Sequence, residues 1–336
     1  MKKLLYIEIA VLAVLVVAAL VVAVSLGNAD GKPQISVPTA PSLTEPENTQ
    51  ATEVIAPTEP LPTEPFITWM TFPEDRVLTA KQYFVYEVES GSFLKISGSN
   101  NEKIYPASIT KLFTAYVAMQ FVEPDHMITA TDALDLVAYG SSVADLVYKE
   151  TISAERLVEA MLLPSGNDAA YVLAAEVGRI LDGQPYESAS KAVATFMAEM
   201  NRQARELGLT GTNFVNPDGI HKENHYSTPA DLVKMAQLSL SNDTVMKYAK
   251  TVLDEPVIDG VEHEWENTNE LVHPESEFYC PYAVGLKTGQ TPKAGSCLLS
   301  AFQFEGQTLI IGVFGCPDVD DRFADTLQLL NEILTA

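Results

Sequence analysis

Ser108 and Lys111 stand three residues apart at the start of an apolar run, "SITKLFTAYVAMQF". Residues i and i+3 of a helix share a face, so the lysine nitrogen can reach the serine hydroxyl. A neutral lysine placed there can accept the hydroxyl proton, one of the few ways to make a serine nucleophilic without histidine. Taken alone, the pair also fits a capped helix start with a solvated lysine, because the spacing is common by chance. A second pair, Ser165 and Asn167 in "LLPSGNDAA", is separated by one glycine. A tight turn there can aim a hydroxyl and a carboxamide in one direction, although either residue alone fits a helix N-cap. The third cluster is Lys287, Thr288 and Gly289 in "GLKTGQTPKAGSC", at the end of a strand. Alternation puts Lys287 and Gly289 on one face and Thr288 on the other. Gly289 removes a side chain where something has to come close to the backbone.

These clusters need elements to position them. "QYFVYEV" and "SFLKIS" are β-rich runs separated by "ESG", a hairpin that opens the folded part near Leu78. From Ala107 to about Gln203 the pattern is helical, and its last segment, "SASKAVATFMAEMNRQARELG", is closed by Gly208. Another helix, "TPADLVKMAQLSL", starts with Thr228 as cap and Pro229 in its first turn. Strand character returns in "AVGLKTG", "SCLLSAFQF" and "TLIIGVFG", followed by a helix, "DRFADTLQLLNEIL". Strands at both ends with helices between them predict an α+β domain, one sheet carrying a helical insertion.

Upstream, Ile9 to Leu26 is an 18-residue stretch without charge, close to the roughly 20 residues that cross a bilayer as a helix. Lys2 and Lys3 precede it, so the positive-inside bias directs everything after it out of the cytoplasm. The apolar run exceeds the usual core of a cleaved signal, which favours an uncleaved anchor over residues 1–27. Residues 28–77 are rich in Pro, Thr and Glu, with "TEP" recurring, and read as an extended, disordered stalk. Residues 78–336 then form the folded domain that carries the three clusters.

With 47% hydrophobic residues the chain can bury a sizeable core. Its 45 acidic and 21 basic residues leave a net charge of −24, which repels a nucleic-acid backbone and argues against such a partner. Three cysteines, Cys280, Cys297 and Cys316, form no metal-spacing motif. Buried free thiols are favoured over a Cys280–Cys297 bridge. The five histidines are scattered, and neither a metal nor a cofactor is implied.

The three clusters in this order, each at an element boundary, match the motif set of serine penicillin-interacting enzymes. From about Leu78 to Leu330 the sequence resembles the D-alanyl-D-alanine carboxypeptidases, the low-molecular-weight penicillin-binding proteins of peptidase family S11. "NFVNPDGI", "HYSTPADL" and "WENTNEL" are also similar to stretches of that family. The resemblance implies a penicillin-binding-protein fold, an antiparallel sheet from N- and C-terminal strands with an inserted helical subdomain. It implies Ser108 as nucleophile, Lys111 as general base, helped to stay neutral by burial and by Lys287, and Ser165 as proton relay. Asn167 would hold Lys111 and the substrate, while Lys287 and Thr288 would bind the terminal carboxylate beside Gly289. The backbone N–H groups of Ser108 and Gln290 would form the oxyanion hole. The substrate would be a peptidoglycan stem peptide ending in D-Ala-D-Ala, with β-lactams as covalent inhibitors and the bacterial membrane as the anchor's partner.

Two departures stand out. The β-rich domain and amphipathic C-terminal anchor of many relatives are not expected here, and Lys149 stands where a glycine is expected before Glu150. Rival readings are an endopeptidase for cross-links, a non-catalytic peptidoglycan-binding scaffold, and a β-lactamase, for which Glu199 is the candidate carboxylate but sits on a helix face.

Overall fold

Strands that are apolar at consecutive positions must be covered on both faces, and three such strands form the heart of this protein. They are β9 (Ala283–Thr291), β10 (Gly295–Phe304) and β11 (Gln307–Cys316). With β1 (Gln82–Glu87) and β2 (Ser92–Ile96) they make a five-stranded antiparallel sheet in the order β2-β1-β11-β10-β9. The computed structural model describes Phe72, Pro73 and residues 76–335. The expected anchor and nearly all of the expected stalk lie outside the described residues. Among the described residues no helix is long and apolar enough to cross a membrane.

The first strand of the domain pairs with the last, from Gln82 opposite Phe314 to Glu87 opposite Leu309. Alternation along β11 sends Leu309, Ile311 and Val313 to one face and Ile310 and Phe314 to the other. On the first face lies α7 (Asp321–Leu334), which buries Phe323, Leu327 and Leu330. The opposite face carries the helical block: α1 (Thr110–Ala118), α2 (Ala154–Leu162), α3 (Asn167–Asp182), α4 (Ala189–Glu206), α5 (Pro229–Leu240) and α6 (Asp243–Lys250). Thr228 caps α5 as expected, its hydroxyl accepting from the Asp231 N–H. The block is completed by β3 (Met127–Thr129) with β4 (Thr151–Ser153), and by two small pairs, β5 (Leu253–Asp254) with β8 (Trp265–Glu266) and β6 (Val257–Ile258) with β7 (Val261–Glu262). This is the α+β arrangement that the sequence predicts.

The chain enters the sheet through one carboxylate. Asp325 of α7 is fully buried and accepts from the Thr79 N–H (2.8 Å), the Ala80 N–H (2.7 Å) and the Arg76 guanidinium (2.7 Å). Packing therefore already begins upstream of Leu78. Asp325→Ala leaves the half-buried Arg76 guanidinium and the half-buried N–H groups of Thr79 and Ala80 without this acceptor. It is expected to cost about 3 kcal/mol, seen as a lowered midpoint in denaturant unfolding with an unchanged slope.

Candidate active site

The backbone at Ser108 is held in an uncommon shape. Ser108 sits in a 3-10 turn, Ala107–Ile109, that runs straight into α1, and its side chain makes no capping bond. The sequence reading of Ser108 as a cap therefore fails, because its hydroxyl is directed to Lys111. Ala107 takes a φ of +49°, a left-handed conformation costly for a residue with a Cβ. Two glycines press on this turn. A Cβ on Gly219 (φ +86°) would fall 1.9 Å from the Ala107 carbonyl oxygen, and one on Gly289 would fall 2.9 Å from that of Pro106. What Gly289 admits is thus the Ser108 turn itself. Ser108 lies in the first turn of the helix, where N–H groups lack intrahelical partners.

Lys111 is fully buried, and its three N–H donors meet three acceptors: Ser108 Oγ (2.8 Å), Asn167 Oδ1 (2.6 Å) and the Asp218 carbonyl (3.0 Å). Burial pushes its pKa down to about 8, against the opposing pull of the Asp218 and Asp168 carboxylates. The expected repulsion by Lys287 is not among the causes; it runs the other way. Burial, with Lys111 and Arg322 nearby, holds Lys287 well below the usual lysine range.

Asn167 opens α3 and spends its carboxamide on Lys111, while the N-cap is Gly166, without a side-chain bond. Neither Ser165 nor Asn167 caps the helix. Ser165, at φ +64°, lines the cleft, and its hydroxyl makes no hydrogen bond to another described residue. Asp168 accepts from the N–H groups of Ala144, Leu146 and Ala169, which fixes the loop forming the opposite wall.

The pairing with β10 is regular from Leu286 opposite Ser300 to Thr291 opposite Gly295, so the alternation of Lys287, Thr288 and Gly289 stands. Leu286 itself has a φ of +90° and the β9–β10 register shifts between Ser300 and Phe302, the signature of a bulge. Lys287 Nζ donates to both Thr288 Oγ1 (3.3 Å) and Thr268 Oγ1 (3.4 Å), and the two threonine hydroxyls are 2.6 Å apart.

The cleft holds about 650 Å³ and is lined by Ser108, Ser165, Asn167, Thr288, Gly289 and Gln290 among others, with no carboxylate side chain among its lining residues. Arg322, at the start of α7, also lines it; it is buried, its Nε has no partner, and burial lowers its pKa only to about 10. It therefore stays charged at neutral pH.

Three residues of this site escape a reading of the sequence. Asp218 is buried with one carboxylate oxygen bonded to the Ile220 N–H (3.2 Å) and the other bare. Thr268 and Arg322 are the others. Asp218 and Thr268 fall in the stretches "NFVNPDGI" and "WENTNEL", but no spacing says that they reach the two lysines. Arg322 did leave a signal, since a cation in the first turn of a helix opposes the helix dipole.

Several expectations are decided elsewhere. Lys149 has a φ of +71°, which explains why a glycine is expected there. Beyond it, Glu150 is buried and pairs with His263 Nε2 at 2.7 Å. All three cysteines are free and buried, so Cys280 and Cys297 do not bridge. Glu199 lies on α4, paired with Arg202 at 2.6 Å, and is not part of the cleft wall.

A serine hydroxyl on a buried lysine with a low pKa, at the edge of an antiparallel sheet, has the arrangement of the serine–lysine sites of penicillin-interacting enzymes. Residues 70–318 match the family model of the D-alanyl-D-alanine carboxypeptidases, peptidase S11, and the chain belongs to that family. It is 34% identical over 235 residues to the D-alanyl-D-alanine carboxypeptidase of Streptomyces sp. strain K15, covering 67% of this chain and 77% of that protein. It is 29% identical over 259 residues to DacF of Bacillus subtilis strain 168, covering 75% of this chain but only 61% of that relative's length. Among solved structures, the Streptomyces K15 DD-transpeptidase superposes with a TM-score of 0.68 at 28% identity, covering 80% of this chain and 100% of that one. Penicillin-binding protein D2 of Listeria monocytogenes, solved in its cefotaxime-bound form, gives 0.63 at 27% identity, covering 79% of this chain and 100% of that one.

Gly219→Ala places a methyl group against the Ala107 carbonyl in a backbone region that favours glycine. It is expected to cost about 1–3 kcal/mol and to displace the Ser108 turn, checked by thermal unfolding and by a slower reaction of Ser108 with a labelled β-lactam.

Proposed function

We propose that the protein is a serine D,D-carboxypeptidase that removes the terminal D-alanine from peptidoglycan stem pentapeptides through an acyl-enzyme on Ser108. The observation that carries this reading is the 2.8 Å contact between Ser108 Oγ and the buried Lys111 Nζ. Once neutral, Lys111 accepts the Ser108 proton as Oγ attacks the carbonyl of the penultimate D-alanine. The oxyanion that forms faces the N–H groups of Ser108 and Gln290. The C–N bond then breaks, and Ser165 relays the proton from Lys111 to the departing D-alanine amine. Water attacks the ester with Lys111 again as base, releasing the shortened peptide and restoring the Ser108 hydroxyl.

The free carboxylate of the substrate would lie against Thr288 and Thr268, with Lys287 behind them and the charge of Arg322 in the same cleft wall. A lining without carboxylates in a chain of net charge −24 supports an anionic substrate. β-Lactams as covalent inhibitors follow from the same site, and the cefotaxime complex of a similar protein supports that reading. We place the domain, residues 78–336, outside the cytoplasm, held by the apolar segment within 1–27 and spaced by residues 28–77. The side of the membrane on which stem peptides are found supports this topology. Glu199, tied to Arg202 outside the cleft wall, gives no support to a β-lactamase.

Ser108→Ala is expected to abolish fluorescent penicillin labelling and to lower D-alanine release from a pentapeptide at least about 1000-fold. Persistent labelling would refute the nucleophile. The acylation rate of the wild type is expected to rise with pH through about 8, as Lys111 loses its proton. Asp218→Asn removes a carboxylate that favours the ammonium form, so this rising limb should move to lower pH. An unmoved limb, or one displaced upward, counts against the assignment of Lys111 as base.

A further inference from the structure

Beyond the hairpin that ends β9 lies a second groove, of about 340 Å³, lined by Lys81, Lys103, Tyr105 and Lys293 among others. It adjoins the cleft at two places. Thr291, Pro292 and Gly295 line the cleft while Lys293 and Ala294, between them in the chain, line the groove. Tyr105 lines the groove and packs edge-on against His221 of the cleft, with ring centroids 4.7 Å apart.

The three lysines are exposed, and among the described residues none is paired with a carboxylate, whereas Lys95, Lys191 and Lys247 are. Lys103 is held over the Tyr226 ring at 3.8 Å, and the stem of Lys81 lies against Gly315. Glu102 shares the lining, but its carboxylate is turned against Gly98. In a chain with twice as many acidic as basic residues, this groove is a local reversal of sign.

Its direction from the reacting atoms follows from the proposed function, on which this inference rests. The terminal carboxylate sits at Thr288 and the scissile carbonyl at Gln290, so the donor peptide runs along β9 toward Thr291 and Lys293. Lys293 lies in the turn after Thr291, so the three residues from Gln290 span at most about 10 Å, and two extended peptide residues cover about 7 Å. A side chain on the second or third residue upstream of the scissile bond therefore reaches the lysines.

We propose that Lys81, Lys103 and Lys293 form a subsite for free carboxylates on the donor stem peptide upstream of D-Ala-D-Ala, favouring a third residue that carries one, such as diaminopimelate, over lysine. The test uses four pentapeptides with glutamate at position two and diaminopimelate at position three, the two side carboxylates both free, either one converted to the carboxamide, or both converted. Calorimetric binding to the full chain carrying Ser108→Ala should be about tenfold tighter for the peptide with free carboxylates than for the doubly amidated one. That preference should shrink with added salt and fall to about one in the Lys81→Gln, Lys103→Gln, Lys293→Gln variant. The two singly amidated peptides assign the contact to position two or three. A contact confined to position two overturns the selection for diaminopimelate, and equal affinities for all four peptides overturn the subsite. D-alanine release by the protein with Ser108 intact is read separately: its failure removes the carboxypeptidase reading, while the binding ratio still decides the groove.

Discussion

A lysine with no access to water must find three acceptors within the protein, and the geometry around Ser108 can be read as the solution to that requirement. Lys111 obtains them from a 3-10 turn, from the first residue of α3 and from the carbonyl of Asp218. Each belongs to a different segment, so the ammonium ties the Ser108 turn, α3 and the loop before α5 to a single point. Burial also lowers its pKa to about 8, so that deprotonation at near-neutral pH costs little. The same lack of solvent that makes the lysine hard to accommodate makes it a base.

Strain is gathered at that point. Ala107 and Ser165 both occupy left-handed backbone regions without being glycine, and Gly219 and Gly289 supply the clearance that lets the segments close around them. The surrounding cores of packed helices and sheet hold these residues where isolated turns would not. Charge is arranged with equal economy: the cleft wall carries Arg322 and no carboxylate, although acidic residues outnumber basic ones across the chain. An anionic ligand repelled by the acidic surface meets attraction on approach to the opening.

Much of this was legible in the sequence because the motifs stand at element boundaries. The hairpin at Gln82–Ile96, the capped helix at Thr228 and the closing strands announce themselves through turn residues and periodicity. The short α6 (Asp243–Lys250) and the two-residue strands do not, since eight residues or fewer give periodicity too little room. At the site, the motif residues Ser108, Lys111, Asn167 and Thr288 converge, but their bonding partners Asp218 and Thr268 come from loops. Which loop atom meets a lysine is decided by tertiary packing, not by spacing. The bulge at Leu286 is equally invisible in the sequence, although the alternation of Lys287, Thr288 and Gly289 beyond it is kept.

The pairing of β1 with β11 has a consequence for how the domain comes into being. Residues near 85 cannot find their partners near 311 until almost the whole of the domain's chain is available, and contacts of such long sequence separation form slowly. Asp325, which receives the incoming backbone at Thr79 and Ala80, is available later still. A chain synthesised from its N-terminus would thus hold its first hairpin waiting on an unpaired edge. The two ends of the domain are joined last, when β11 and the helix after it come to β1 and to the segment that leads into it.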